Sequence, residues 1–204
     1  MGGRFLKKLI AKTVIYTLIS FILAVALLFG ALTLFSPKTI GAFFDGVGAT
    51  DSAVDFYEQQ YKKTGSLDDL VFLVNKIGDN DSQKSEQYLY LLINRVDFKS
   101  YCDNVDSLSG RDFSSSEYYT GEYVLSLAKN FKFDLALETA SDFVNENGYT
   151  INNPFRVIIW ELSGVLQTGD LVKIKDKISL ISPDSAEETA YLNQDKEQLT
   201  TLLG

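Results

Sequence analysis

From Thr13 to Phe35 the chain reads TVIYTLISFILAVALLFGALTLF, 23 residues without a charge. At 1.5 Å per residue a helix of that length is about 34 Å long, enough to cross a hydrocarbon core of about 30 Å. Its polar residues, Thr13, Tyr16, Thr17, Ser20 and Thr33, are scattered and form no stripe, so the pattern predicts a helix surrounded by lipid. Arg4, Lys7, Lys8 and Lys12 precede the run, and the first acidic residue is Asp45. Basic residues are retained on the cytoplasmic side, which puts residues 1–12 in the cytoplasm and residues 36–204 outside, with Tyr16 and Phe35 near the two interfaces. A cleaved secretory signal is the competing reading. Signal cores run about 7 to 15 residues and end at a small-x-small site, whereas the best such triplet here, Ala24-Val25-Ala26, lies inside a longer run. An uncleaved signal-anchor over 13–35 follows. Lipid attachment finds no support: Cys102 is the one cysteine, and Leu6 stands where a myristoylation signal carries Ser or Thr.

Beyond Ser36 the apolar positions recur at helical spacing between short polar turns. Pro37 opens a helix to about Val47. Asp51 starts a second that carries Ala53, Val54, Tyr57 and Tyr61 and stops at Gly65. Ser66 with Asp69 has capping-box spacing, followed by Leu67, Leu70, Val71, Val74 and Ile77. After a turn at 78–81, helices are predicted around Tyr88–Ile93, about 96–105, 116–129, 132–146, 154–167, 170–181 and 184–202. Asn153-Pro154 and Ser182-Pro183-Asp184 mark two of the starts. Residues 108–115 (LSGRDFSS) are the most loop-like stretch and the expected hinge. The fold class is therefore all-α.

Ile40-Gly41-Ala42-Phe43-Phe44, with Ala53-Val54-Asp55-Phe56-Tyr57 after it, resembles the paired helices of a tetratricopeptide repeat. Gly41 and Ala53 hold that family's small positions, while Phe44 and Tyr57 hold its large ones. Pro37, Gln60 and Gly65 depart from its Trp, small and Pro positions. Looser matches follow around Ser85–Leu89, Ala136 and Gly169–Ile174. The resemblance implies an α-solenoid of about four helix pairs, specific over residues 40–57. An irregular helical bundle is the alternative architecture.

Charge narrows the function. The chain has 19 Lys plus Arg and 27 Asp plus Glu. Setting aside the four basic residues of the N-terminal tail leaves 15 against 27, so residues 36–204 carry about −12, a poor surface for nucleic acid or anionic lipid. One cysteine allows no internal disulfide, a habit that fits an exported bacterial protein. There is no histidine, which removes the commonest general base and every histidine metal site. No phosphate-cradling glycine motif occurs. Asp79-Asn80-Asp81 begins like a calcium loop, but Gln83, Lys84 and Tyr90 occupy positions that the loop needs for ligands and Gly. No cofactor or metal is expected. Carboxylate chemistry stays open in composition through Asp68, Asp69, Glu117, Glu122 and Glu161. Each is better explained as a cap or a solvated face, and Glu161, beside Trp160, is the most interesting of them. A Ser-Lys pair is equally open.

Aromatic residues are frequent after the anchor, and on a helical-repeat face they make good peptide anchors. Tyr118, Tyr119 and Tyr123 cluster just after the expected hinge and are the candidate partner-binding residues, although most such rings serve packing between helices. The expected function is a non-catalytic, membrane-anchored adaptor for a protein or peptide partner in the envelope. A structural subunit of a larger membrane complex is the nearest alternative, and a carboxylate or Ser-Lys envelope enzyme a further one.

Overall fold

The computed structural model describes the backbone of residues 2–78, 81–109 and 114–204, with their side chains except those of 2–9, 11, 108 and 109. Among the described residues the chain forms eleven helices and no strand: α1 (Gly2–Phe35), α2 (Pro37–Gly46), α3 (Thr50–Thr64), α4 (Leu67–Ile77), α5 (Ser82–Ile93), α6 (Phe98–Ser109), α7 (Ser115–Lys129), α8 (Phe133–Asn147), α9 (Pro154–Glu161), α10 (Thr168–Ser179) and α11 (Ala186–Leu203). Two compact units result, Met1–Leu73 and Val74–Gly204.

In the first unit, Lys12–Phe35 of α1 is long and apolar enough to cross a membrane by length and composition. Ser36 alone separates α1 from α2. Pro37, which has no N–H to continue the ladder, takes the first position of α2. The α2–α3 hairpin closes on Gly41: a Cβ built there would stand 2.6 Å from Cε1 of Tyr57. Ala53 and Tyr57 are buried, Phe44 stacks on Phe56 with centroids 5.5 Å apart, and Tyr57 meets Phe72 edge-on at 4.8 Å. Gly65 ends α3 at φ 61°, its N–H donating to the Tyr61 carbonyl at 2.7 Å. Ser66 accepts from the Asp69 N–H at 3.1 Å. The Asp69 carboxylate takes hydrogen bonds from Thr64, Gln60 and Lys38 at 2.7, 3.3 and 3.4 Å. Burial acts to raise its pKa, but the hydrogen bonds outweigh this and hold it below the ordinary carboxylate value. The Lys63 ammonium donates to the last two carbonyls of α1, Leu34 at 3.3 Å and Phe35 at 2.8 Å.

In the second unit α7 is the hub, with α5, α6, α8 and α9 all packing on it. Its residues from Tyr119 to Leu127 are buried except Glu122. A capping box of Ser114 and Glu117 starts it, and Ser115 donates from both backbone N–H and hydroxyl to Asp106 of α6, at 3.0 and 2.5 Å. Asn130, at its other end, donates to the Ser82 carbonyl and to Glu86, both at 2.8 Å.

The helix starts at Asn153-Pro154 and around Asp81 stand as the sequence implies. Asn153 accepts from Phe155 and Arg156 N–H, and Asp81 accepts from Gln83 and Lys84 N–H. Asp79 and Asn80 lie outside the described residues. The expected hinge at 108–115 falls largely outside them too, since α6 runs to Ser109 and Ser114 already caps α7. Several boundaries differ: α6 runs four residues past its expected end, α10 lies two residues earlier than expected, and two further shifts have a visible cause. α9 stops at Glu161, where Leu162 turns into the core and its carbonyl takes the N–H groups of Val165 and Leu166. α11 starts at Ala186 because the hydroxyl of Ser185, two residues past Pro183, accepts from the Glu188 N–H at 3.1 Å.

The Gly41 contact yields a prediction. Tyr57 is held by Phe72 and cannot retreat, so Gly41→Ala is expected to cost about 1–3 kcal/mol despite the better helix propensity of Ala. Gly46→Ala, with nothing within 4 Å of the added carbon, is expected to be neutral or slightly stabilising. Thermal unfolding of the detergent-solubilised chain by circular dichroism checks the ordering.

Candidate functional site

Tyr118, Tyr119 and Tyr123 share α7 but not a surface. Tyr119 and Tyr123 are buried and Tyr118 is 46% exposed. The Tyr119 ring meets Phe98 edge-on at 6.0 Å and Tyr118 at 5.1 Å, and its hydroxyl lies 3.3 Å from Nδ2 of Asn75. The Tyr123 ring tilts against Tyr90 at 6.0 Å. Burial, then the neighbouring Glu86 and Tyr90, push its hydroxyl pKa up. Tyr123 also lines a shallow depression of about 380 Å³ with Glu86, Gln87, Tyr90 and Leu91. Tyr90 is 53% exposed and Leu91 38%.

This face follows from the run Tyr88-Leu89-Tyr90-Leu91-Leu92. At 100° per residue five consecutive apolar side chains cover more than one side of a helix. Tyr88, Leu89 and Leu92 enter the core, leaving Tyr90 and Leu91 outside. Val96, in the turn after α5, is also fully exposed. The unbroken run was the signal in the sequence; a single buried face needs a gap.

A second cluster surrounds Asp195 of α11, fully buried. Its Oδ2 accepts from the Tyr149 hydroxyl at 2.7 Å and its Oδ1 from the Trp160 indole N–H at 2.9 Å. The Arg156 guanidinium lies 3.2 Å from Oδ1. Arg156 also donates to the Tyr191 carbonyl at 3.2 Å and sits over the Tyr191 ring, 5.4 Å from its centroid. Burial raises the Asp195 carboxyl above its ordinary value, against the lowering by Tyr149, Trp160 and Arg156. Burial and the Asp195 charge likewise raise the Tyr149 hydroxyl. The acid that meets Trp160 is thus Asp195, while Glu161 is exposed. The sequence signal was a carboxylate in the apolar series Leu192–Asp195–Leu199, at helical core spacing.

A cleft of about 720 Å³ runs along the ends of α8 and α10, lined among others by Asn147, Tyr149, Lys177, Leu180, Asp184 and Glu188. Glu188 there accepts from the N–H groups of Tyr149 and Asp184, both at 3.3 Å. Of the other sequence-flagged acids, Glu117 closes its capping box, Asp68 is exposed and Glu122 half-buried. Burial, then Asp106 and Asp103, push the Cys102 thiol up to about 12, so it is no nucleophile near neutrality. Among the described residues no group of three His, Cys, Asp or Glu is placed to hold a metal ion.

The chain matches no protein-family model, no curated protein and no solved structure. What the fold defines is an all-helical protein with one apolar N-terminal helix, compatible with a membrane anchor or a signal sequence.

Removing Arg156 would leave Asp195 a buried carboxylate without its counter-charge. Arg156→Leu is therefore expected to cost about 3 kcal/mol at neutral pH. A carboxyl whose folded pKa lies above its unfolded value of 3.8 stabilises fully below that value and loses this as pH rises through the folded pKa. The deficit should thus shrink towards pH 4, as Asp195 takes up its proton, and grow above. Urea unfolding of wild type and variant across that range reads it.

Proposed function

We propose that this is a single-pass membrane protein, N-terminus in the cytoplasm, whose extracytoplasmic helices hold a protein or peptide partner without catalysis. The α5 face carries the reading: Tyr90 and Leu91 stand exposed over Tyr123 around a shallow apolar depression. A contiguous exposed apolar patch, rather than a lone exposed side chain, is the informative departure from ordinary burial, and an aromatic residue beside a hollow is a typical contact anchor. Attachment through 13–35 would raise the effective concentration of that face near a membrane partner, and the basic residues before the span support the orientation. Tyr123 supports this face from within, and the exposed Tyr118 is kept as a separate candidate contact on α7.

The tetratricopeptide-like reading draws its support from α2 and α3, where Gly41, Ala53 and Tyr57 make the close approach that the resemblance implies. In residues 74–204 the principal helix contacts join elements one or two places apart in the chain, α7 meeting α5, α6, α8 and α9, a nearest-neighbour pattern that supports stacked helix pairs, with an irregular bundle as the alternative.

The test is in-cell cross-linking, then purification through a C-terminal tag and mass spectrometry. Tyr90→Ala with Leu91→Ala is expected to weaken capture of the wild-type partner by tens-fold, about 2 kcal/mol, with the helical spectrum unchanged. Capture that survives this double substitution, and Tyr118→Ala added to it, overturns the assignment of the face. Near-equal recovery of partner and bait would mark a stable subunit of a larger complex.

A further inference from the structure

α2 begins one residue after α1 ends, so the depth of α1 in lipid fixes that of α2. Phe44 of α2 meets Phe29 of α1 edge-on, with centroids 6.4 Å apart. Phe29 lies six residues before the end of the apolar run, about 9 Å down the helix axis. α2 therefore turns back along the span.

The two helices of the hairpin present opposite chemistry. Lys38 and Thr39 are exposed in the first turn of α2; beyond them Ala42, Phe43, Gly46, Val47 and Gly48 are exposed and none of these five is charged. Phe43 is 60% exposed and Val47 63%. α3 exposes Asp51, Asp55, Gln59 and Lys62, one helical turn apart. Asp45, the one acidic residue of α2, is half-buried. Lys63 caps the last carbonyls of α1 and Lys38 pairs with Asp69, so the polar groups where the span ends are already served within the chain.

Resting on the anchor reading above, we propose that α2 lies in the interfacial layer of the leaflet from which α1 emerges. Phe43 and Val47 insert among the lipid chains, and α3 faces water. Amphipathic interfacial helices bury their apolar side about 5–10 Å deep, which matches the 9 Å or so set by Phe29. A span of about 34 Å in a core of about 30 Å has length to spare for a modest tilt, and tilting α1 towards its Phe29 side brings the exposed edge of α2 closer to the membrane surface. The occupant of the exposed edge is lipid rather than a partner protein, because that edge is continuous with the span.

The full chain, with Cys102→Ala, is reconstituted in phosphatidylcholine vesicles carrying one nitroxide at Phe43→Cys, Val47→Cys, Gln59→Cys or Leu23→Cys. Electron paramagnetic resonance then compares collision with oxygen, which concentrates in lipid, and with a water-soluble nickel chelate. Labels at 43 and 47 are expected to favour oxygen several-fold over the label at 59, in the direction of the label at 23. If 43 and 47 behave like 59 while 23 is lipid-exposed, the interfacial placement is overturned and the anchor stands. Low collision with both reagents at 43 and 47 marks a protein-covered edge and also overturns it. Nickel access at 23 overturns the anchor reading, and this inference with it.

Discussion

The close approach of Gly41 to the Tyr57 ring sets the geometry around it in the N-terminal unit. With no side chain on Gly41, α2 can lie flat on α3, and the buried tyrosine fills the volume that a Cβ would have taken. That packing brings Phe44 over Phe56 and within reach of Phe29, and it sets the end of α3 where Lys63 can meet the last carbonyls of α1. Those carbonyls have no partner inside their own helix. A cation there also complements the negative end of the helix dipole. A change of one carbon at residue 41 therefore bears on how the apolar helix ends.

The C-terminal unit solves a different problem. It has no disulfide, and its central helix is buried nearly all round from Tyr119 to Leu127, so its neighbours are held in place by packing supplemented with side-chain ties. Asp106 binds the start of α7 to α6, and Asn130 binds the end of α7 to α5. Asp195 binds α11 to Trp160 of α9 and to Tyr149 in the segment before it. Each tie uses a group too polar to be buried alone, which is what makes it specific: displacement would leave a donor or acceptor unmatched at a cost of about 1–3 kcal/mol.

How much of this was legible depends on whether the signal was local. The uncharged run ending at Phe35, the Asn153-Pro154 start and the small residues at 41 and 53 are properties of a few adjacent positions, and each reads correctly. The start of α11 was misplaced because Pro183 suits several turn positions. The spacing of Ser185 and Glu188, a cap followed three residues later by Glu, was the stronger sign. The tyrosine trio is a harder case. Tyr119 and Tyr123, four residues apart, share a face, while Tyr118 points about 100° away from Tyr119, so nearness in sequence could not make one surface. The hub role of α7 had no local trace, since its small and polar residues, Thr120, Gly121 and Ser126, are buried along with its apolar ones and give no stripe that says which neighbours cover it.

Asp195, Tyr149, Trp160 and Arg156 have the composition of a catalytic constellation, and their geometry says what they do instead. Both carboxylate oxygens already accept from protein donors, and the side chain is closed to solvent. The nearby cleft reaches Tyr149 and Glu188 but is lined by neither Asp195, Arg156 nor Trp160. A general acid or base must come within hydrogen-bond reach of the proton it moves, and both oxygens of this carboxylate are buried and taken by Tyr149, Trp160 and Arg156. The raised pKa is therefore the mark of burial in a structural tie rather than of tuning for chemistry; ion-pair networks perturb titration as active sites do. The opposite departure from ordinary burial, apolar Tyr90 and Leu91 left in water, has no such internal explanation. A buried charge that is fully matched is accounted for by the fold, whereas an exposed aromatic edge over a hollow is not, and that asymmetry directs the search for function to the α5 face.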